Sequence, residues 1–151
     1  MPLSRAIAMM DKSLALARAA ASANEVPVGA VVTLGDRIVG QGANRPIAAH
    51  DPTAHAEIIA IREASAALGR DRLSDCDLYV TLEPCAMCAG AIAHARIRRL
   101  YYAAPDSKGG AVMHGPRLFQ QPTIHHRPEV YAGIGEEEAA AMLRAFFAER
   151  R

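Results

Sequence analysis

A disulfide framework is the first thing this chain cannot build. It has only three cysteines in 151 residues, an odd count, and two of them, Cys85 and Cys88, are too close in sequence to staple a long loop. That leaves the pair for a metal or for redox chemistry. Long apolar runs are also missing. No uncharged apolar stretch reaches 18 residues, and Arg5, Asp11, Lys12 and Arg18 interrupt the N-terminal segment where a signal peptide needs an unbroken core. The expectation is a cytoplasmic protein with no membrane association. Net charge is close to absent at +1, which argues against a generally basic nucleic-acid protein. Repeats and low-complexity segments are lacking as well, so disorder is expected only at the ends.

What is present is the composition of a soluble globular chain, 51% hydrophobic and 22% charged, at a length that suits one domain, residues 1–151, with a core of its own. The small net charge hides an uneven distribution. Residues 96–127 carry Arg96, Arg98, Arg99, Lys108, Arg117 and Arg127 against Asp106 alone, six cations to one acid or +5, so the remainder sums to −4. Such a zone can hold a phosphate backbone, although a charge cluster equally describes a solvated face.

Leu3, Ile7, Met10, Leu14 and Ala17 recur at spacings of three and four and predict a first helix over residues 3–21. The β-branched stretch 26–33, the separator Leu34-Gly35-Asp36-Arg37 and the stretch 38–41 predict an antiparallel hairpin. Residues 44–51 read as a loop. Asp51-Pro52 reads as a cap and a first-turn proline, opening a helix that Gly69 stops after Leu68. A strand at 78–82, a helix from Cys85 to about Ala95 and a strand at 99–103 imply a right-handed parallel crossover. One short helix within 104–127, a strand at 128–132 and a helix at 136–149 complete an α/β layout, a mixed sheet with helices on both faces.

Cys85 and Cys88, three apart, share a helix face, and a helix N-terminus lowers thiol pKa towards the thiolate that a metal requires. A redox motif would use the same two facts. Upstream, His55 and Glu57 in Thr53-Ala54-His55-Ala56-Glu57 open the other helix. In mid-helix, positions two apart face roughly 200° from each other, but in a first turn both can aim at an ion beyond the helix end. A structural zinc needs four protein ligands; His55, Cys85 and Cys88 supply three and leave a place for water, the catalytic arrangement. Glu57, not counted as a ligand, is then free to move protons. Each residue also has a plain structural explanation, His55 as a helix-start residue and Glu57 as a complement to the helix dipole.

His-Ala-Glu followed by Pro-Cys-x-x-Cys resembles the signature of the zinc-dependent cytidine-deaminase-like superfamily. Within it the chain is similar to bacterial tRNA-specific adenosine deaminases through Glu25–Val31, Asn44-Arg45-Pro46, Asp51–Glu57, Tyr79–Ala91, Asp106–Ala111 and Phe146-Phe147. The resemblance implies a three-layer α/β/α fold with a five-stranded sheet, a homodimer, one Zn2+ per subunit, and hydrolytic deamination of adenosine to inosine at the wobble position of a tRNA anticodon, an arginine tRNA in most bacteria. It implies that His55, Cys85 and Cys88 hold zinc and that Glu57 shuttles protons as water adds to C6 of the base. Asn44 would contact the nucleoside, the backbone at Ala56 and Pro84 would line its pocket, and Asp106 and Lys108 would face the RNA. Ala103 and Pro105 depart from the residues common at those places in the family, and Arg150-Arg151 close the chain where longer relatives carry a basic tail.

For the outer residues plainer roles compete. Asn44 suits a side-chain-held turn, Asp106 a turn before the glycine pair, and Lys108 a solvated surface. His114, His125 and His126 suit RNA stacking or plain surface. Met87 and its neighbouring alanines read as core, and one of Tyr101 and Tyr102 as pointing inward. Two other functions compete: deamination of a free guanine or cytosine, which needs no basic zone, and a zinc or redox module without enzymatic activity, in which Glu57 is dispensable.

Overall fold

In a computed structural model that describes residues 3–150, alternation in the strands decides the architecture. Arg151, counted above with Arg150, lies outside the described residues. Helix α1 (Leu3–Ser22) leads into the hairpin β1 (Gly29–Leu34) and β2 (Arg37–Ala43), followed by one turn of helix, α2 (Pro46–Ala49), and by α3 (Ala56–Leu68). Then come β3 (Asp77–Leu82), α4 (Ala86–Ala95), β4 (Arg99–Ala104), a 3-10 turn at Leu118–Gln120, β5 (Glu129–Ala132) and α5 (Glu136–Ala148). The five strands order as β2-β1-β3-β4-β5. β1 is antiparallel to both neighbours, whereas β3, β4 and β5 run parallel, so the sheet is mixed.

Because successive strand residues face opposite sides, the core divides in two. Ala30, Val32, Leu78, Val80, Leu100 and Tyr102 pack towards α3 and α4. Val31, Tyr79, Tyr101 and Ala103 pack towards α1 and α5. Tyr101 and Tyr102 therefore do alternate, but both are buried, one in each core. Two glycines bring the helices close to the hairpin: a Cβ on Gly29 would stand 2.1 Å from the Ser13 carbonyl of α1, and one on Gly40 2.2 Å from the Ala60 carbonyl of α3. Among the described residues, no helix is long and apolar enough to cross a membrane.

Four expectations need correction. The third helix starts at Ala56, not at Asp51-Pro52. Asp51 instead folds its carboxylate onto Thr53, accepting the backbone N–H at 2.9 Å and the hydroxyl at 2.7 Å, which makes a local turn. The segment 44–51 is not all loop. Buried Glu25 accepts the N–H groups of Ile47 and Ala48 at 3.2 and 2.8 Å, and this charge at the first turn holds α2, a long-range contact with no local sequence signal. Met87 is 37% exposed rather than core, because the α4 face that carries Cys88, Ala89 and Ile92 is the one turned inward.

The basic zone is the fourth. Arg98 grips buried Asp77 with two hydrogen bonds of 3.1 and 3.0 Å, and Arg99 bridges Asp77 and Glu129 at 3.7 Å each. Arg127 donates to the carbonyls of Phe119 and Gln121. Asp77, Arg99 and Glu129 are in register at the start of the three parallel strands, while Lys108 follows the far end of β4, about 17 Å along a six-residue strand. The zone is thus two separate places, and Arg98, Arg99 and Arg127 are structural ties.

Candidate metal centre

Helices α3 and α4 start next to one another at the carboxyl end of β3, the end at which open α/β sheets carry their sites. His55 is the residue just before α3, with an extended backbone (φ −76°, ψ 151°), and Cys85 is the corresponding residue before α4 (φ −73°, ψ 176°). Both ligand candidates therefore sit at the positive ends of helices, and Cys88 follows one turn into α4. The concern about His55 and Glu57 lying on opposite helix faces does not arise, since His55 is outside the helix. Asn44 reaches across from the end of β2 and accepts the Ala56 N–H with its Oδ1 at 2.7 Å. It satisfies one of the donors that open α3.

His55 Nδ1 lies 3.6 Å from Cys85 Sγ and 3.5 Å from Cys88 Sγ. Tetrahedral zinc, with bonds of about 2.3 Å to sulfur and 2.0–2.1 Å to nitrogen, separates two such ligand atoms by about 3.5 Å. The donor set fits zinc. Among the described residues it is the only group of three or more histidine, cysteine or carboxylate side chains gathered tightly enough to hold a metal ion. Cys76 stands apart, buried, with its sulfur 3.6 Å from Asp75 Oδ1, and burial pushes its thiol up to about 11. The Cys85 thiol is pulled down to about 5, first by the Cys88 thiol that donates to it and then, against burial, by the backbone N–H groups of Cys88 and Met87. Cys88 moves the other way, raised by that same hydrogen bond and by burial.

A cavity of about 280 Å³ opens beside this set, lined by Asn44, His55, Glu57, Glu83, Cys85 and Asp106 among others, near the lower end of small-molecule sites. Glu57 is 4% exposed, and burial, opposed only in part by its own backbone N–H, pushes its carboxyl up to about 7. A larger space of about 680 Å³ lies at the first turn of α5 around Glu136, Glu137 and Glu138, and among the described residues no metal-ligand set falls there. The metal-ligand candidates adjoin the smaller one.

Of the residues expected to meet substrate, Asn44 and Asp106 line the cavity and Lys108 does not. Ala56 and Pro84 do not line it either; their neighbours His55, Glu57, Glu83 and Cys85 do. The Ala56 N–H is engaged by Asn44, and the Pro84 carbonyl accepts the Ala111 N–H at 2.9 Å. Lys108 is exposed beside a second cavity of about 560 Å³, shared with Asp106, Gly109, Phe147 and Arg150. The loop histidines are mostly occupied: His114 on Glu83, His126 on the Ile97 carbonyl, and His125 against the His94 ring.

Glu83, which sequence reasoning did not single out, also lines this cavity. Burial works against its charge, yet hydrogen bonds from Asp106, His114, Met113 and Val112 hold it below the usual carboxylate range. Its only signal was its place inside the quoted motif, directly before Pro84-Cys85.

Residues 3–104 match the cytidine and deoxycytidylate deaminase zinc-binding region, and the tRNA-specific adenosine deaminase of Agrobacterium fabrum is 56% identical over 142 residues, 94% of this chain and 93% of that protein. The chain belongs to this zinc-binding deaminase family. A solved structure from a study of A-to-I editing by tRNA:A34 deaminases at the wobble position of transfer RNA superposes with a TM-score of 0.88 at 56% identity, covering 89% of this chain and 98% of that one. Guanine deaminase from Nitrosomonas europaea shares the fold at a TM-score of 0.81 and 28% identity, over 94% of this chain and 84% of that one. The α/β/α layering with a mixed five-stranded sheet is that of the family, and zinc is the metal its binding region takes.

Proposed function

We propose that this chain is a zinc-dependent hydrolase that converts adenosine 34 of a tRNA anticodon, that of an arginine tRNA, to inosine. The observation that carries this is the three-ligand set opening onto a cavity that also holds buried Glu57, in a chain so close to a tRNA-specific adenosine deaminase. His55, Cys85 and Cys88 would hold the zinc. When bound, zinc supplies the Lewis acidity that lets water act as a nucleophile near neutral pH.

The chain's own residues supply the rest. Glu57 takes a proton from the attacking water and returns it to the departing amine, so that adenosine and water give inosine and ammonia. Asn44, with its oxygen committed to Ala56, keeps its amide N–H donors for the nucleoside. Ala56 and Pro84 fix the two turns that flank the base. Asp106 and Gly109 are shared by the two cavities, so an RNA strand can run from the metal towards Lys108, Phe147 and Arg150. The 47% exposed Phe147 ring offers a stacking face and exposed Lys108 a phosphate contact, while Arg150 is held over the Phe146 ring and donates to the Phe146 carbonyl and Asn24 Oδ1. A single domain, a homodimer and a cytoplasmic location complete this reading and rest on composition and resemblance.

A base must leave its neighbours to reach a buried metal, and that is cheapest in a single-stranded loop. The test is zinc-loaded protein given an anticodon stem-loop with adenosine at position 34, the same sequence in a duplex, and free guanine and cytosine. Inosine should form in the loop alone. Turnover of guanine or cytosine with an untouched stem-loop would place the chain with the free-base deaminases.

A further inference from the structure

Glu83 lines the metal-site cavity, and its carboxylate is the most heavily bonded side chain near the site. Its side chain is fully buried. Oε1 accepts the Asp106 N–H at 3.0 Å and contacts His114 Nδ1 at 2.7 Å. Oε2 accepts the N–H groups of Val112, Met113 and His114 at 3.1, 2.9 and 3.1 Å. Two backbone bonds flank these, Glu83 N–H to the Ala104 carbonyl at 2.8 Å and Ala111 N–H to the Pro84 carbonyl at 2.9 Å.

The loop held this way is the wall of the proposed RNA path. Asp106 lines both cavities and uses its own carboxylate to accept the N–H groups of Lys108 and Gly109 at 3.1 and 2.9 Å. Gly110 closes the turn against Glu83: a Cβ there would stand 2.5 Å from the Glu83 carboxyl carbon. On its other side Glu83 is one residue removed from the ligand Cys85. One carboxylate thus links the start of α4, which carries two metal ligands, to the loop that carries Asp106 and Lys108.

We propose that Glu83, with His114 as its side-chain partner, is a positioning residue for the RNA. It sets the 106–114 loop at a fixed place relative to the metal centre, and so governs how tightly the anticodon loop is held rather than how fast the bound base reacts. The proposal rests on the tRNA reading above. Glu57 performs the proton transfer; Glu83, charged and saturated with donors, has no free lone pair to lend to it.

The test is Glu83→Gln in the zinc-loaded protein, which keeps the shape but turns an NH2 group towards backbone donors. Each chain should keep one zinc and a kcat within about threefold, while KM and the anisotropy-measured Kd for the anticodon stem-loop rise about tenfold or more. Amide hydrogen exchange at Val112, Met113 and His114 should accelerate while that in α3 and α4 stays slow. His114→Ala should move Kd the same way by a smaller factor, with no added effect in the Glu83→Gln background. Loss of zinc, or a fall in kcat with Kd unchanged, would overturn the proposal and make Glu83 part of the metal scaffold. Unchanged Kd and exchange in both variants would overturn it too. If wild-type protein binds the stem-loop without deaminating it, the tRNA reading fails in its chemistry while Kd and exchange still decide the role of Glu83.

Discussion

Glu57 and Glu83 line the same cavity and are almost equally hidden, 4% and 2% exposed, yet their proton affinities are shifted in opposite directions. Glu57 has few donors, so burial prevails and its proton affinity rises to near 7. Glu83 meets four backbone N–H groups and an imidazole, and its charge is held in spite of burial. Burial alone therefore does not decide what a carboxylate is for; the number of donors facing it does. A sparsely bonded buried carboxylate can take up and give back a proton, and a saturated one can only hold its surroundings in place.

Substitution can break that contrast. Glu57→Gln removes the proton carrier and keeps the shape, so turnover should fall by about 10²–10⁴-fold or more. Zinc content and stem-loop affinity should stay as they are; loss of zinc would make Glu57 a ligand. Glu83→Gln should show the reverse pattern, a weakened grip on RNA with the chemical step intact. Asn44→Ala sharpens the comparison from the other wall of the cavity. It strips the acceptor from the Ala56 N–H, which should cost about 1 kcal/mol of stability, a few degrees in Tm, and also raise KM. A melt unchanged by this substitution would show that the 2.7 Å contact contributes nothing. Lys108→Ala should weaken stem-loop binding modestly and make the log–log salt slope shallower by roughly 0.7–0.9, one phosphate contact. An identical slope would leave Lys108 a solvated charge. Smallest of all, Cys76→Ser should leave zinc and turnover as they are; loss of the metal would mean that the ligands have been miscounted.

The sequence carried the metal site because its chemistry is local. Cys85 and Cys88 are one helical turn apart and His55 and Glu57 are two residues apart, although the turn at 51–55 that sets His55 just outside α3 was not legible. The long elements were legible for the same reason: α1, the hairpin and the β3-α4-β4 crossover each announce themselves within a short window. The misses depended on distant partners. Nothing near Pro46 shows that Glu25 waits for the Ile47 and Ala48 N–H groups, so α2 looked like loop. The basic zone looked continuous because Asp77 and Glu129, which pair with Arg98 and Arg99, lie outside it in sequence. Glu83 was hidden differently, in full view within a motif whose other residues explained it sufficiently.

Zinc-dependent inosine formation is the property that most directly separates a deaminase from a zinc or redox module. The chain would be stripped with a chelator, reconstituted with increasing zinc, and assayed at each step for inosine at position 34 of an arginine tRNA. Activity should be absent without metal, rise in proportion to zinc, and stop rising at one zinc per chain, set by His55, Cys85 and Cys88. Activity that is indifferent to zinc, or a stripped chain whose Cys85 and Cys88 join in a reversible disulfide while zinc restores nothing, would contradict the deaminase reading.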